Sequence, residues 1–324
     1  MKKTQKRIDL VEVILNNKTL VILVLLCALA GILSENFFQT RNLLNIVRQV
    51  CVSCVIGVGF TFILASGNMD LSVGYLLGMI GVIMGQLSRA QVAPVWVIML
   101  IGILVGVLAE LFNGALITFF RLQGFIVTLA TGQIFCGIDY IVCNTTTISG
   151  LQSGFKVVGQ AYFLGIPVPV YIMIAVAVIL AVVLNKTAFG RHVIAMGGNA
   201  QAARVCGISI EKTRLLIFAI MGACTGIASV ILTGHTFTAQ PNAGHGMEMD
   251  AIAAVVIGGT SLSGGTGKIS GTIFGCLLVG VINNILNLTG VDSNWQLIAK
   301  GAMIIVAIFI DEQSSSIMAK HRNR

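Results

Sequence analysis

Apolar residues fall into ten blocks along the chain, roughly 19–34, 50–66, 71–87, 94–118, 125–142, 168–184, 215–234, 251–260, 269–288 and 297–310, separated by polar connectors. Most approach the ~20 apolar residues that carry a helix across a bilayer, so each is expected to be helical. The block at 251–260 is short. Ten residues of helix rise only about 15 Å, half the hydrocarbon thickness. It runs into "GGTSLSGGTGKISG" (258–271). Irregular backbone survives in a membrane only where it lines a cavity or is buried in protein. The stretch therefore reads either as a broken or re-entrant element or as an ordinary hairpin turn. "SGNMDLSVG" (66–74) is the same kind of interruption in the first half.

Composition fixes the class. Hydrophobic residues make up 56% of the 324 positions and charged ones 10%, with a mean hydropathy of +0.95. A soluble domain averages about 25% charged residues. The expected fold is an all-α membrane protein, a polytopic bundle of about ten transmembrane helices forming a single transmembrane domain over 1–324. Five blocks precede about position 145 and five follow it. An odd-numbered repeat must be inverted in the membrane, so two inverted five-helix halves with broken helices are expected. Met69-Asp70 and Met249-Asp250 stand at equivalent places in the two halves.

The net charge of +8 raises nucleic acid as a partner, but topology accounts for it. With the N-terminus inside, ten crossings return the C-terminus inside, which makes 1–18, 185–214 and 311–324 cytoplasmic. Of the 20 Lys and Arg residues, only Arg41, Arg48, Arg89 and Lys156 then lie outside and Lys300 within the last span. Positive charge held inside sets orientation, and no nucleic-acid partner is expected. Ala28-Leu29-Ala30 mimics a signal-cleavage pattern, but apolar residues continue to Leu33, so the first span reads as uncleaved. Cys51 and Cys54 form a C-x-x-C on a membrane helix, where packing explains them better than redox chemistry. His192, His235, His245 and His321 show no metal-ligand spacing.

The glycine-rich stretch also invites a nucleotide reading. A phosphate loop needs G-x-x-x-x-G-K-[ST], so that backbone amides wrap the phosphates and a hydroxyl holds magnesium. Counting from Gly267-Lys268 puts Leu262 where the glycine belongs and Ile269 where the hydroxyl belongs. No cofactor is expected on this chain, and no nucleophile–base constellation points to an enzyme. What remains are polar groups beside the breaks. Asp70, Ser72, Asn113, Gln240, Glu248, Asp250, Gly258 and Gly259 are candidates for a translocation path or for the breaks themselves. Ionisable groups in spans are costly and either line a path or pair internally. Asp70 and Asp250 also stand at plausible N-caps, and both readings stay open. Glu110 and Asp139 are expected to face the bundle interior.

Two connectors are long enough to hold structure. In 185–214, "NAQAARVCGI" (199–208) predicts a short helix with Asn199 as N-cap and Gly207 past its end, entered by a turn at Gly197-Gly198. A helix so short is unstable alone in water, so it must pack on the bundle or on a partner. The polar segment 144–167 faces outward, as a docking surface or a plain connector.

Three blocks carry a resemblance. "LASGNMDLSVG" (64–74), "GRHVIAMGGNAQAARVCGI" (190–208) and "AQPNAGHGMEMDAIAAVVIGGTSLSGGTGKISGT" (239–272) closely resemble the signature stretches of the ribose-type ABC sugar importer permeases. The similarity continues from "ENFFQTRNLLNI" (35–46) to "GVINNILNLTGV" (280–291). Asn68 departs from it, since relatives more often carry an apolar residue or glycine there. The resemblance implies the permease subunit of an ATP-driven, binding-protein-dependent monosaccharide importer in a bacterial cytoplasmic (inner) membrane. Implied partners are cytoplasmic ABC ATPase subunits that use ATP-Mg, an extracytoplasmic sugar-binding protein, and a second permease copy as homodimer or paralogue heterodimer. Gly190, Arg191, Gly197, Asn199, Ala203 and Gly207 match the family's ATPase-coupling loop. Ribose is the default sugar by resemblance, among related pentoses and hexoses. The alternative is an ion- or proton-coupled secondary carrier with Asp139 and Glu110 as proton sites, in which the 185–214 loop has no evident purpose.

Overall fold

The computed structural model describes residues 18–292, 294–305 and 309. The expected N-terminal segment before Lys18, the 311–324 tail and parts of the last apolar block lie outside the described residues. In chain order the helices are α1 (Lys18–Leu33), α2 (Thr40–Ala65), α3 (Val73–Arg89), α4 (Val95–Phe119), α5 (Gly124–Cys143) and α6 (Gly154–Gly159). After a hairpin come α7 (Val168–Lys186), α8 (Ala188–Gly198), α9 (Ala200–Val205), α10 (Ile210–Thr236), α11 (Met247–Ile257) and α12 (Ile269–Leu288). A last helix, α13, covers 294–305.

Every apolar block of the sequence falls on a helix. Six of these helices (α2, α4, α5, α7, α10 and α12) are long and apolar enough to cross a membrane, and Thr19–Leu33 and α3 are shorter apolar helices. Against the expectation of about ten spans, the described residues thus hold six candidate spans and two shorter apolar helices. α11 has 11 residues and rises about 16 Å, short of a crossing. The all-α expectation also needs one correction. β1 (Tyr162–Phe163) and β2 (Ile166–Pro167) pair antiparallel. Leu164 (φ 49°) and Gly165 (φ 79°) form the tip, the two left-handed residues that a tight hairpin turn requires.

The core is built around α2 and α10. From Val50 to Ala65 every residue of α2 except Ser53 is buried, as a helix apolar on all sides must be. α10 packs along α4 and α2, α12 lies against α2 and α11, and α3 is held between α5, α4 and α10. The outer helices divide their faces. On α4, Ile98, Gly102, Gly106, Glu110, Asn113 and Ile117 point inward, while Leu100, Leu104, Leu108 and Phe112 are exposed. The small inward residues bring α4 close to α10. The apolar outward stripe suits lipid, where it needs no protein cover.

Candidate functional site

The first break, between α2 and α3, encloses a polar knot. Asp70, Ser72, Glu110 and Asn113 are each 0% exposed. Asp70 Oδ1 accepts from the Ser72 amide at 2.9 Å and from the Ser72 hydroxyl at 2.7 Å. Ser72 Oγ also lies 3.1 Å from Glu110 Oε1. Asn113 donates to Ser72 Oγ at 3.0 Å and to Glu110 Oε2 at 3.2 Å. The Leu71 amide donates to Thr128 Oγ1 of α5 at 3.0 Å. The break is therefore tied to α4 and α5 by hydrogen bonds in a site from which water is excluded, where such networks are strong when satisfied. Asp70 Oδ2 and Asn113 Oδ1 are without partners among the described residues.

The capping expectations divide. Asp70 makes the turn that enters α3, but the N-cap position is Ser72. For Asp250 the expectation is corrected: the N-cap of α11 is Gly246, in the left-handed conformation at φ 84°. Asp250 lies inside the helix and pairs with Lys300 at 2.7 Å. A charged side chain in an apolar helix thus finds its counter-charge on α13. Glu248 is buried, its Oε1 accepting from the Gly246 amide at 3.3 Å. Gln240 stands apart from the knot; it is exposed and donates to Thr238 Oγ1 at 3.4 Å. Asp139 faces inward as expected and accepts from the Asn242 amide at 2.9 Å. Asn242 also donates to the Tyr140 hydroxyl, so two residues of α5 pin the loop between α10 and α11.

The second break explains the glycines of the failed phosphate loop. A Cβ on Gly258 would fall 2.5 Å from the Gly271 carbonyl, so the two helix ends meet through bare backbone. Farther along, the Gly265 amide donates to the Ala65 carbonyl at the end of α2, at 2.9 Å. The end of α8 enters the same place. A Cβ on Gly197 would lie 1.9 Å from Ala65 O and 2.6 Å from Gly265 N, and one on Gly264 (φ 86°) 2.7 Å from Gly197 O and 2.9 Å from Gly67 N. Both broken segments and α8 therefore converge on one joint, and glycine is what lets three backbones touch. Gly259, at φ 91°, shapes the link between α11 and α12.

Beyond that joint, α8 packs on the bundle through Gly190, Val193 and Met196, and α9 follows it. Thr187 caps α8, accepting from the Gly190 amide at 3.3 Å. Gly190 packs where a Cβ would lie 1.9 Å from the Leu184 carbonyl, and Arg191 is exposed. The expected turn at Gly197-Gly198 is corrected: both glycines end α8, and the chain turns at Asn199 (φ −161°, ψ 102°). Asn199 caps α9 as its sequence predicts, Oδ1 accepting from the Ala202 amide at 2.9 Å. Gly207 follows α9 in the left-handed conformation, φ 84°. Within α9 only Ala203 is buried, so most of this helix is open to a partner.

Sequence reading did not join Glu110, Thr128 and Lys300 to these sites. For Glu110 the signal was present: Gly106, Glu110 and Asn113 recur at helical spacing on one face of α4. Thr128 and Lys300 carry no such mark, because their partners lie on other helices.

Comparison with known proteins agrees with this architecture. Residues 42–308 match the family described as branched-chain amino acid transport system / permease component. The ribose import permease protein of Bacillus subtilis is 42% identical, over 91% of this chain and 92% of its own length. The D-allose transport system permease protein of Escherichia coli is 38% identical, over 90% of each. The xylose transport system permease protein of Haemophilus influenzae is 31% identical, over 87% of this chain and 92% of its own length. No solved structure matches. Such permeases are non-catalytic membrane components, and the broken phosphate-loop pattern accords with that. This chain, a multi-pass membrane protein, belongs to the ABC transporter permease family of the branched-chain amino acid and sugar type.

Proposed function

We propose that the chain forms the translocation pathway of an ATP-driven, binding-protein-dependent importer of a monosaccharide, ribose or a related pentose or hexose. The sugar class rests on the named relatives, which import ribose, allose and xylose. One observation carries the mechanism: Gly197, at the end of α8, touches both broken segments at once. In this reading Gly190, Arg191, Gly197, Asn199, Ala203 and Gly207 form the coupling element, and ATPase subunits dock on exposed α9 in the cytoplasm. Closure of the ATPases pushes α8, and the push reaches the Asp70–Ser72–Glu110–Asn113 knot on one side and the α11–α12 link on the other. Asp70, Ser72, Asn113, Glu248 and Asp250 then hold or release the breaks rather than bind sugar tightly.

Two inverted five-helix halves fit the packing. α4 lies on α10 as α12 lies on α2, and α3 lies on α10 as α11 lies on α2. A binding protein delivers sugar at the opposite face, near the hairpin, and a second permease copy completes the channel. The test is uptake of labelled ribose, allose and xylose by the intact system in cells. Inactivating the partner ATPase is expected to stop accumulation, whereas accumulation driven by an ion gradient alone would overturn the reading.

A further inference from the structure

Beside the α2–α3 break lies an open cleft of about 850 Å³, walled by the α4–α5 turn, α9 and the start of α10. Its polar lining is basic: Arg121, Arg204 and Arg214 against the single acid Glu211. Arg204 and Glu211 pair with each other, and Glu211 also acts on Arg214, so the lining keeps two positive charges in excess. That excess on one open cleft points to an anionic ligand.

The rim describes the rest of that ligand. Phe119 and Leu122 line the mouth and are 66% and 49% exposed. On the adjoining surface of α5, Phe125, Ile126 and Leu129 continue an apolar face toward the membrane. A cationic floor joined to an apolar outer wall matches an amphiphile with an anionic head. It does not match a neutral sugar, which offers no charge to balance the basic lining. We propose that this cleft binds the phosphate headgroup of an anionic phospholipid. Arg121 and Arg214 hold the phosphate, and the acyl chains run along α5. Basic pockets between membrane helices recognise lipid phosphates in this way, and guanidinium is the side chain best suited to doing so.

The experiment uses the purified full-length chain in neutral detergent, titrated with dioleoyl phosphatidylglycerol, dioleoyl phosphatidylcholine or inorganic phosphate. Lipid occupancy is read by native mass spectrometry and stability by thermal unfolding. Phosphatidylglycerol is expected to bind and raise the unfolding midpoint, while phosphatidylcholine does neither. The double variant Arg121→Gln/Arg214→Gln should bind phosphatidylglycerol on the order of 30-fold more weakly, from about 1 kcal/mol per basic residue. Arg121→Gln alone, at an exposed turn, gives a smaller loss in a chain whose core is untouched. Equal binding of the two lipids overturns the proposal, as does unchanged phosphatidylglycerol affinity in both variants. Stabilisation by inorganic phosphate alone reassigns the site to a free anion. Variants that keep lipid discrimination but lose co-purification with the ATPase reassign it to a protein partner.

Discussion

Ser72 has one hydroxyl proton and two carboxyl groups within reach of it, and its oxygen accepts from Asn113 as well. Ser72 thus ties Asp70, Glu110 and Asn113 together through one oxygen, and its loss opens the knot at its centre. Replacing it by alanine leaves a carboxyl oxygen and an amide donor facing each other across a small void, in a site without water. Ser72→Ala is expected to destabilise the protein by about 1–3 kcal/mol, the cost of stranding a buried polar group. The measurement is the thermal midpoint of the purified chain in detergent. Gln240→Ala serves as the contrast: that side chain is exposed and bonded only locally, so its loss should stay within about 0.5 kcal/mol. Equal effects of the two substitutions would contradict the account of the knot.

Among the elements, α8 is the one whose behaviour depends most on a single position. Gly197→Val puts carbons where the Ala65 carbonyl and the Gly265 amide already are, forcing the joint apart. Uptake is expected to fall at least tenfold in transport assays, while immunoblots show normal amounts of protein in the membrane. Gly198→Ala is the control, since nothing lies within 4 Å of a Cβ there; it should transport like the parent. The same pair of residues shows what sequence alone reveals. The apolar blocks fall on all six helices that, among the described residues, are long and apolar enough to cross a membrane, because burial in lipid or core imposes hydrophobicity residue by residue. The cap of α9 was legible at Asn199, because capping is local chemistry. The helical start of α2 was not, since Thr40–Gln49 mixes polar and apolar residues and is held by long-range bonds such as Asn42 to Asn284 at 2.8 and 3.0 Å. Nor was α8 legible as a helix: its glycines, read locally, signal a turn, and only contact with α2 and the second break shows their use. The Asp250–Lys300 pair escaped for the same reason, as its partners are 50 positions apart.

At the scale of the molecule, the proposed orientation can be read with a native probe. Of the eight cysteines, only Cys206, just after α9, is exposed; the others are buried or partly so. A membrane-impermeant maleimide is expected to label Cys206 in inside-out vesicles and to leave it unlabelled in intact cells. Labelling from the outer side would invert the topology and end the coupling assignment. If the orientation holds, the joint at Gly197 has a further consequence. Side chains absorb a displacement by hopping between rotamers, and a contact padded with them gives before it transmits. Peptide planes pressed directly on one another have no such slack. A stroke arriving along α8 would therefore reach both interrupted segments in the same instant, so the two halves of the pore would open in step rather than one after the other.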